Sequence, residues 1–194
     1  MITLSYFFFG GPGLTFQGLW VVPYLIDVHE YTRLQAGGLL MTLPLGAMVG
    51  APLIGFLADR LNLERKQVLI ILLFASLACW SVFFLTGGKP NNAFIIPLFF
   101  IMGLCGGGAL SLYMTMLKEI FPTWLTGTAM GLMNPAAFLA TALFQPFTGY
   151  LMDAFGRTGS AYPLGAYQRV FTVFFLSMLI SFGLLFLLKT SKEP

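Results

Sequence analysis

Charged side chains are scarce in this chain of 194 residues. Asp, Glu, Lys and Arg make up 9% of it, against about a quarter in soluble domains. With 58% hydrophobic residues, the chain cannot cover a globular domain with a polar surface. A lipid environment removes this difficulty, because apolar side chains can then face hydrocarbon. The composition therefore excludes a water-soluble globule and predicts an integral membrane protein in contact with a lipid bilayer.

Groups that bind metals or nucleic acids are nearly missing too. The chain has one histidine, His29, and two cysteines, Cys79 and Cys105, which both lie inside hydrophobic runs where packing is their expected role. The ten Lys and Arg stand between hydrophobic runs, as in membrane loops. We expect no metal, no cofactor and no nucleic-acid partner. Without an HExxH sequence or paired carboxylates inside a hydrophobic run, we also expect no enzyme.

Six stretches are each apolar over ~20 residues or more, the length that a helix needs to cross a bilayer. They cover residues 4–26, 36–58, 68–86, 93–117, 124–152 and 170–188. The connections between them are short and leave no room for an extramembrane domain. We predict an all-α membrane protein in which residues 1–194 form a single bundle of six transmembrane helices.

The basic residues predict an orientation. The side of the membrane shared by both termini carries six of them, including the tight cluster Arg60, Arg65 and Lys66, and the other side carries four. By the positive-inside rule, both termini should be cytoplasmic, in an inner or plasma membrane.

An internal repeat relates the second and fifth stretches. Pro, Gly, Leu and Asp recur at identical spacing, ninety-four positions apart: Pro52, Gly55, Leu57 and Asp59 in the first copy, and Pro146, Gly149, Leu151 and Asp153 in the second. Because the copies lie three stretches apart, their Asp residues should lie on opposite sides of the membrane. This predicts an inverted repeat of three helices plus three, a design typical of secondary transporters. Chance matching among Gly- and Leu-rich helices is the alternative.

The two Asp residues each end a helix, where the macrodipole disfavours an anion by ~0.3–1 kcal/mol. Basic residues that could offset this follow in each copy: Arg60, Arg65 and Lys66 after Asp59, and Arg157 after Asp153. Our hypothesis is that these contacts form in one conformation and break in another, as a gate latch that also includes Gly55 and Gly149. The alternative is a permanent surface ion pair, worth at most ~1 kcal/mol.

The first copy resembles the signature loop of the major facilitator superfamily, G-x-L-a-D-R-x-G-R-K. This chain reads Gly55-Phe-Leu57-Ala58-Asp59-Arg60 and then Arg65-Lys66, with Asn62 where the pattern has Gly and the Arg-Lys pair two residues late. The second copy keeps Gly156 and Arg157. The resemblance covers the whole chain, and it implies a carrier whose substrate site lies between two six-helix halves.

The resemblance further implies that this chain corresponds to one such half. N-terminal halves of the family usually carry an Arg motif in the fourth span and G-x-x-x-G-P-x-x-G-G in the fifth. Here the fourth stretch has no Arg, and the fifth reads Gly127-x-x-x-Gly131-Leu-Met-Asn134-Pro135. By elimination the chain resembles the C-terminal half, and its partner would be a complementary N-terminal half or a second copy of itself.

Polar side chains on three stretches are candidates for contact with a solute. In the first stretch, steps of three and four put a stripe on one helix face: Tyr6, Gly10, Gly13, Gln17, Trp20, Tyr24 and Asp27. The sequence Gly10–Gly13 should weaken this helix midway. We take Gln17, Trp20, Tyr24, Tyr113, Asn134 and Gln145 as substrate-cavity candidates. Hydrogen bonding between helices, worth ~0.6–2 kcal/mol, is the alternative.

Small residues four positions apart on the second and fourth stretches predict close helix packing: Gly38, Thr42, Gly46 and Gly50, and Gly103, Gly107 and Ser111. No charged residue lies near the middle of any stretch, so charges for ion coupling or for an ionic solute would have to come from a partner half.

We predict secondary active (symporter-like) or facilitative transport of a small solute by alternating access, with a non-transporting membrane subunit or an inactive fragment as the alternative. The segment from Glu119 to Asn134 is similar to organic-anion carriers of the superfamily, which favours an organic anion; drugs and sugars remain open.

Overall fold

Helices account for nearly all of residues 1–159 and 161–187, the part of the chain that the computed structural model describes. In chain order they are α1 (Ile2–Thr15), α2 (Val21–His29), α3 (Arg33–Leu40), α4 (Thr42–Arg60), α5 (Arg65–Leu85), α6 (Asn92–Ile120), α7 (Thr123–Phe155) and α8 (Leu164–Phe186), with a π-helical segment, Phe16–Trp20, between α1 and α2. The predicted all-α membrane fold is confirmed. The helix expected over 170–188 begins earlier, at Leu164, and residue 188 lies outside the described residues.

Five helical stretches are long and apolar enough to cross a membrane: Arg33–Arg60, which joins α3 and α4, and α5, α6, α7 and α8. The first span, residues 2–29, consists of α1, the π-helical segment and α2, which follow one another without a loop. Together they are the six expected transmembrane helices.

Residues with strong local preferences set the turns between spans. Pro122 and Pro163 stand directly before α7 and α8, in extended conformations that end the preceding loops. Thr32 and Gln35 form a capping box that begins α3. The turn between α5 and α6 contains Gly88, whose φ of 82° only glycine adopts without strain. Short, well-defined turns keep consecutive spans antiparallel.

The inverted repeat is visible in the packing of the spans. α4 packs most extensively on α6, the first helix of the second repeat, and its counterpart α7 packs on α1, the first helix of the first repeat. A Cβ built on Gly46 of α4 would lie 2.2 Å from the Phe100 carbonyl oxygen of α6. One built on Gly10 of α1 would lie 2.8 Å from the Ala137 Cβ of α7. Exchanging the two repeats converts one contact into the other, as a three-plus-three repeat requires.

The loops carry the same symmetry. Asn62 follows Asp59 by three positions and has φ 51°; Gly156 follows Asp153 by three positions and has φ 88°. Both copies of the motif therefore have a residue with positive φ three positions after the Asp, just beyond the end of the helix. Asparagine is among the few residues with a side chain that adopt this conformation readily. This explains why Asn62 can replace the glycine of the family pattern.

Loop contacts define two ends of the bundle. The near end holds Asp59, Arg65 and Glu119, where α4 ends, α5 begins and α6 ends. The far end holds Asp27, Asp153 and Tyr162, where α2 and α7 end and α8 is about to begin. The two repeated Asp residues therefore lie at opposite ends, as the inverted repeat predicts. Between the ends, a core of aromatic side chains centres on Phe16, which contacts the rings of Trp80, Phe83, Phe99, Phe171 and Phe174.

Candidate functional site

At the near end, one arginine joins three helices. The Arg65 guanidinium donates through Nη2 to the Asp59 carboxylate, and its Nε lies 3.4 Å from Glu119 Oε1. Asp59 thus has the cation that an acidic residue at a helix C-terminus requires. Arg60 lies over the Phe56 ring instead, 5.8 Å from its centroid.

These near-end contacts are exposed and therefore weak. The side chains of Asp59 and Glu119 are 64% and 55% exposed, and that of Arg65 is 24% exposed. Exposed ion pairs contribute at most ~1 kcal/mol. The cluster therefore adds little stability, but it connects the ends of α4, α5 and α6. Gly55, one turn before Asp59, and Lys66, half-buried at the start of α5, complete the expected near-end set.

At the far end, Tyr162 bridges the acidic and basic residues of the second copy. Its hydroxyl donates to Asp153 Oδ1 at 2.5 Å and accepts from Arg157 Nη2 at 2.7 Å, while the Arg157 and Asp153 groups themselves are 3.8 Å apart. The hydrogen bond to the carboxylate raises the pKa of Tyr162 above its usual 10.0. The hydroxyl is therefore a stable donor at neutral pH. Gly149, one turn before Asp153, has open space around it.

The far-end loop is also tied to the first span. Asp27 Oδ2 accepts from the Tyr162 backbone N–H at 3.1 Å and from the Tyr167 hydroxyl at 2.7 Å. Asp27 ends the first helix of the first repeat, and Glu119 ends the first helix of the second. Each end of the bundle thus joins three spans through an acidic residue from each repeat, and the two clusters are related by the same inverted symmetry as the helices.

The first span presents two different faces, separated by the π-helical segment. Tyr6, Gly10, Gly13 and Gln17 line one cavity, as their common stripe predicts. The π-helical turn then rotates the rest of the span, because it adds a residue to the turn. Trp20 and Tyr24 consequently lie in the core instead of the cavity.

Both of these buried side chains are hydrogen-bonded within the bundle. Trp20 Nε1 donates to Thr148 Oγ1 at 2.9 Å. The Tyr24 hydroxyl donates to the Gly88 carbonyl at 2.8 Å and lies 2.9 Å from His29 Nε2. The helix itself is not broken at Gly10–Gly13; the irregularity follows at Phe16–Trp20.

The cavity has a volume of about 210 Å³ and lies between the first span, α4 and α6, with residues of α5 and α8 at its base. Glycines create the space, since five of them line it: Gly10, Gly13, Gly103, Gly106 and Gly107. The other lining residues are mostly aromatic or aliphatic. Gln17, half-buried in the π-helical segment, contributes an amide that makes no hydrogen bond to the described part of the chain.

The remaining three candidates lie apart from this cavity. The Tyr113 hydroxyl lies 2.7 Å from Ser5 Oγ in a buried network that links α1, α6 and α8. Asn134 is exposed on α7, in a shallow depression of about 420 Å³ beside Met130 and Phe138. Gln145 is half-buried, and its Nε2 lies 3.7 Å from the position of a Cβ on Gly18. Neither of these two amide side chains hydrogen-bonds to residues 1–159 or 161–187.

Comparison with known proteins agrees with this architecture. Residues 2–194 match the model of the Major Facilitator Superfamily. The chain belongs to this superfamily. An MFS-type transporter of Aspergillus niger, pynF, is 28% identical over 134 residues, which are 69% of this chain and 30% of that protein. The solved structure of the proton:xylose symporter XylE, bound to 6-bromo-6-deoxy-D-glucose, superimposes with a TM-score of 0.72 at 19% identity. The superposition covers 98% of this chain and 44% of the symporter. The chain thus spans less than half the length of either relative.

Several residues of this superfamily bundle could not be singled out from the sequence. Glu119 and Tyr162 each contact the repeated acid–base pair from a distant or irregular segment, for which no local pattern exists. His29 is the last residue of α2; it is buried, and its Nδ1 lies 2.6 Å from Asn92 Oδ1. The π-helical segment interrupts the stripe of the first span, but the hydrophobicity of the sequence does not change there, so the pattern gave no sign of it.

Proposed function

We propose that this chain is one six-helix half of a twelve-span carrier that moves a small solute across a membrane by alternating access. The relatives support transport as the activity, since pynF is named a transporter and XylE a symporter. The solute site would lie where this bundle meets its other half. Both ends of the chain would face the cytoplasm, in an inner or plasma membrane.

The observation that carries the proposal is the exposure of α4 and α7. In the most apolar part of each of these two spans only 17% of the residues are buried, against 39–50% in the corresponding parts of α5, α6 and α8. The two are equivalent helices of the repeat; α4 packs chiefly on α6, and α7 packs chiefly on α1. The exposed side of α7 carries Asn134, an amide that lipid cannot satisfy. A second bundle, or a water-filled path between two bundles, would satisfy it.

The two end clusters supply the mechanism. In alternating access, each end of the carrier must close while the other opens. The Arg65 cluster at the near end and the Tyr162 cluster at the far end are symmetric, exposed and weak, so each can open at a cost of the order of 1 kcal/mol per contact. We propose that they latch the two ends in opposite conformations.

Gln17, Asn134 and Gln145 remain our candidates for solute contact, because their amides have no partner within the described residues. Trp20, Tyr24 and Tyr113 would act indirectly, by holding the helices that carry these amides. The partner is a complementary N-terminal half or a second copy of this chain. The similarity noted around Glu119 favours an organic anion, whose counter-charge the partner would supply. A non-transporting membrane subunit is the second candidate.

Uptake in proteoliposomes tests the proposal. The chain is reconstituted with a complementary six-helix half, and uptake of labelled lactate and xylose is compared between the unaltered chain and Asp59→Asn. The neighbouring Arg60→Gln is the control, because Arg60 does not contact the acid. We expect altered uptake in Asp59→Asn alone. Unchanged uptake in both variants would contradict the latch. If no complementary half gives uptake with this chain, the non-transporting subunit would be favoured.

A further inference from the structure

The residues that line the cavity beside Gln17 indicate which class of solute it can hold, which the proposed transport function leaves open. No charged side chain is among its lining residues. Three lining residues, Tyr6, Gln17 and Trp80, carry a hydroxyl, an amide and an indole N–H that make no hydrogen bond to the described part of the chain. The fourth polar lining residue, Ser76, is buried and lies beside Cys105.

The polar atoms of these three residues are accessible and not sealed in the packed core, where Thr15 Oγ1 is the buried side-chain atom without a partner among the described residues. Because polar groups inside a membrane-spanning bundle need partners, the three unpaired groups at the cavity indicate something that occupies it. Water could satisfy them, but most of the wall is apolar, and water requires two to four polar partners at each position. An apolar molecule with one or two hydrogen-bonding atoms matches the wall better. A cavity of about 210 Å³ is larger than an apolar cavity of roughly 150 Å³ that holds one benzene molecule, so it suits one or two rings.

The same features argue against the two solute classes that the relatives and the sequence suggest. A carboxylate placed here would lose its hydration without gaining a cation, at a cost that paired sites avoid. A sugar brings about five hydroxyl groups, each needing a partner, whereas the cavity offers three unpaired groups. Aromatic rings suit the wall, because Tyr6, Phe9, Phe16 and Trp80 present ring faces and edges.

We propose that this cavity binds the uncharged, largely apolar part of the transported solute, an aromatic or similarly compact group with one hydrogen-bonding atom held by the Gln17 amide. The proposal rests on the proposed transport function for its physiological meaning, but binding itself can be tested without transport. If the complete solute is an organic anion, its charged group lies outside this cavity, toward the partner half.

The experiment measures binding of three fluorinated probes by ¹⁹F NMR to the protein in lipid nanodiscs: para-fluorophenol, para-fluorobenzoate and a fluorinated deoxyglucose. We expect para-fluorophenol to bind, and the anion and the sugar to bind at least about tenfold more weakly. Gln17→Leu should weaken the binding of para-fluorophenol about five- to tenfold, because it removes one hydrogen bond.

Two glycine variants separate the cavity from partition into lipid. Gly106 lines the cavity and a Cβ there meets nothing within 4 Å, so Gly106→Leu fills the space without disturbing the helix contact. Gly183 of α8 has equally open surroundings and lies outside the cavity, so Gly183→Leu is the matched control. We expect the first variant to abolish specific binding and the second to leave it unchanged.

Each outcome decides the proposal. Binding of para-fluorophenol that is insensitive to Gly106→Leu would overturn it, as would tighter binding of the anion or the sugar at the same site. Circular dichroism checks that each variant is folded, and Gln17→Leu provides an independent test if Gly106→Leu is not. Specific binding without any solute uptake would contradict the carrier function and leave the cavity assignment intact. Solute uptake by a carrier whose cavity prefers the anion would contradict the cavity assignment and leave the carrier function intact.

Discussion

Gly50→Ala tests whether backbone contact holds α4 against α6. A Cβ at this position would lie 2.1 Å from the Leu104 carbonyl oxygen, whereas real Cβ atoms stay beyond 3.0 Å. The carbonyl oxygen belongs to the backbone of α6 and the Cβ is fixed to the backbone of α4, so the helices must separate by about 1 Å. A gap of this size forfeits a quarter to a half of each dispersion contact along the interface. We expect a loss of about 1–3 kcal/mol in the free energy of unfolding, the range for overpacked sites.

The measurement is equilibrium unfolding in mixed detergent micelles, followed by far-UV circular dichroism. Gly183→Ala is the control, because a Cβ on Gly183 meets nothing within 4 Å. Alanine is the better helix former by up to ~1 kcal/mol, so the control should be unchanged or slightly more stable. Equal stabilities of the two variants would refute the close contact between α4 and α6.

Three further predictions concern side-chain contacts between the spans. Glu119→Gln should change the free energy of unfolding by less than about 1 kcal/mol in the same assay, because its ion pair is exposed; a larger loss would mean a structural role. Trp20→Phe should cost about 0.6–1.7 kcal/mol by removing the hydrogen bond to Thr148, and the double variant with Thr148→Ala should lose less than the sum of the two single losses; additive losses would contradict the pairing. The pKa of Tyr162 is raised, so its neutral hydroxyl stabilises the far-end loop below pH 10.0, and this contribution is lost as pH rises through the higher folded pKa. Tyr162→Phe should flatten that alkaline decline in stability, and an unchanged pH profile would count against the bridge to Asp153.

Much of the fold followed from the sequence, because its signals were local and long. Runs of apolar residues predicted the spans, and the small residues Gly46, Gly50, Gly103 and Gly107 predicted a close helix contact that the structure confirms. Gly38, two steps before Gly46 in the same pattern, has nothing within 4 Å of a Cβ built on it. Spacing alone therefore indicates which face can approach a neighbour but not how far along the helix the approach extends.

The site was less predictable, since its geometry depends on contacts between distant residues. Helical periodicity assigned Tyr6, Gln17 and Trp20 to one face, but the π-helical turn moves Trp20 into the core. Proline at position 12 lacks a backbone N–H and glycines flank it, so the sequence indicated irregularity near this point without indicating its form. The partner of Asp59 was one of three basic residues, and only the position of the α5 N-terminus identifies Arg65 as a residue in contact with it.

Labelling of a single cysteine tests directly whether this bundle takes part in alternating access. Gln17→Cys is introduced into the carrier assembled in oriented membranes, and a membrane-impermeant thiol reagent is applied from each face in turn. Cys79 and Cys105 are buried, so the chain without the substitution gives the background. We expect labelling of Gln17→Cys from both faces of the membrane. Asp59→Asn should change the ratio of the labelling rates from the two faces, because it weakens the near-end latch. Labelling from one face only, or a ratio that Asp59→Asn leaves unchanged, would contradict this mechanism.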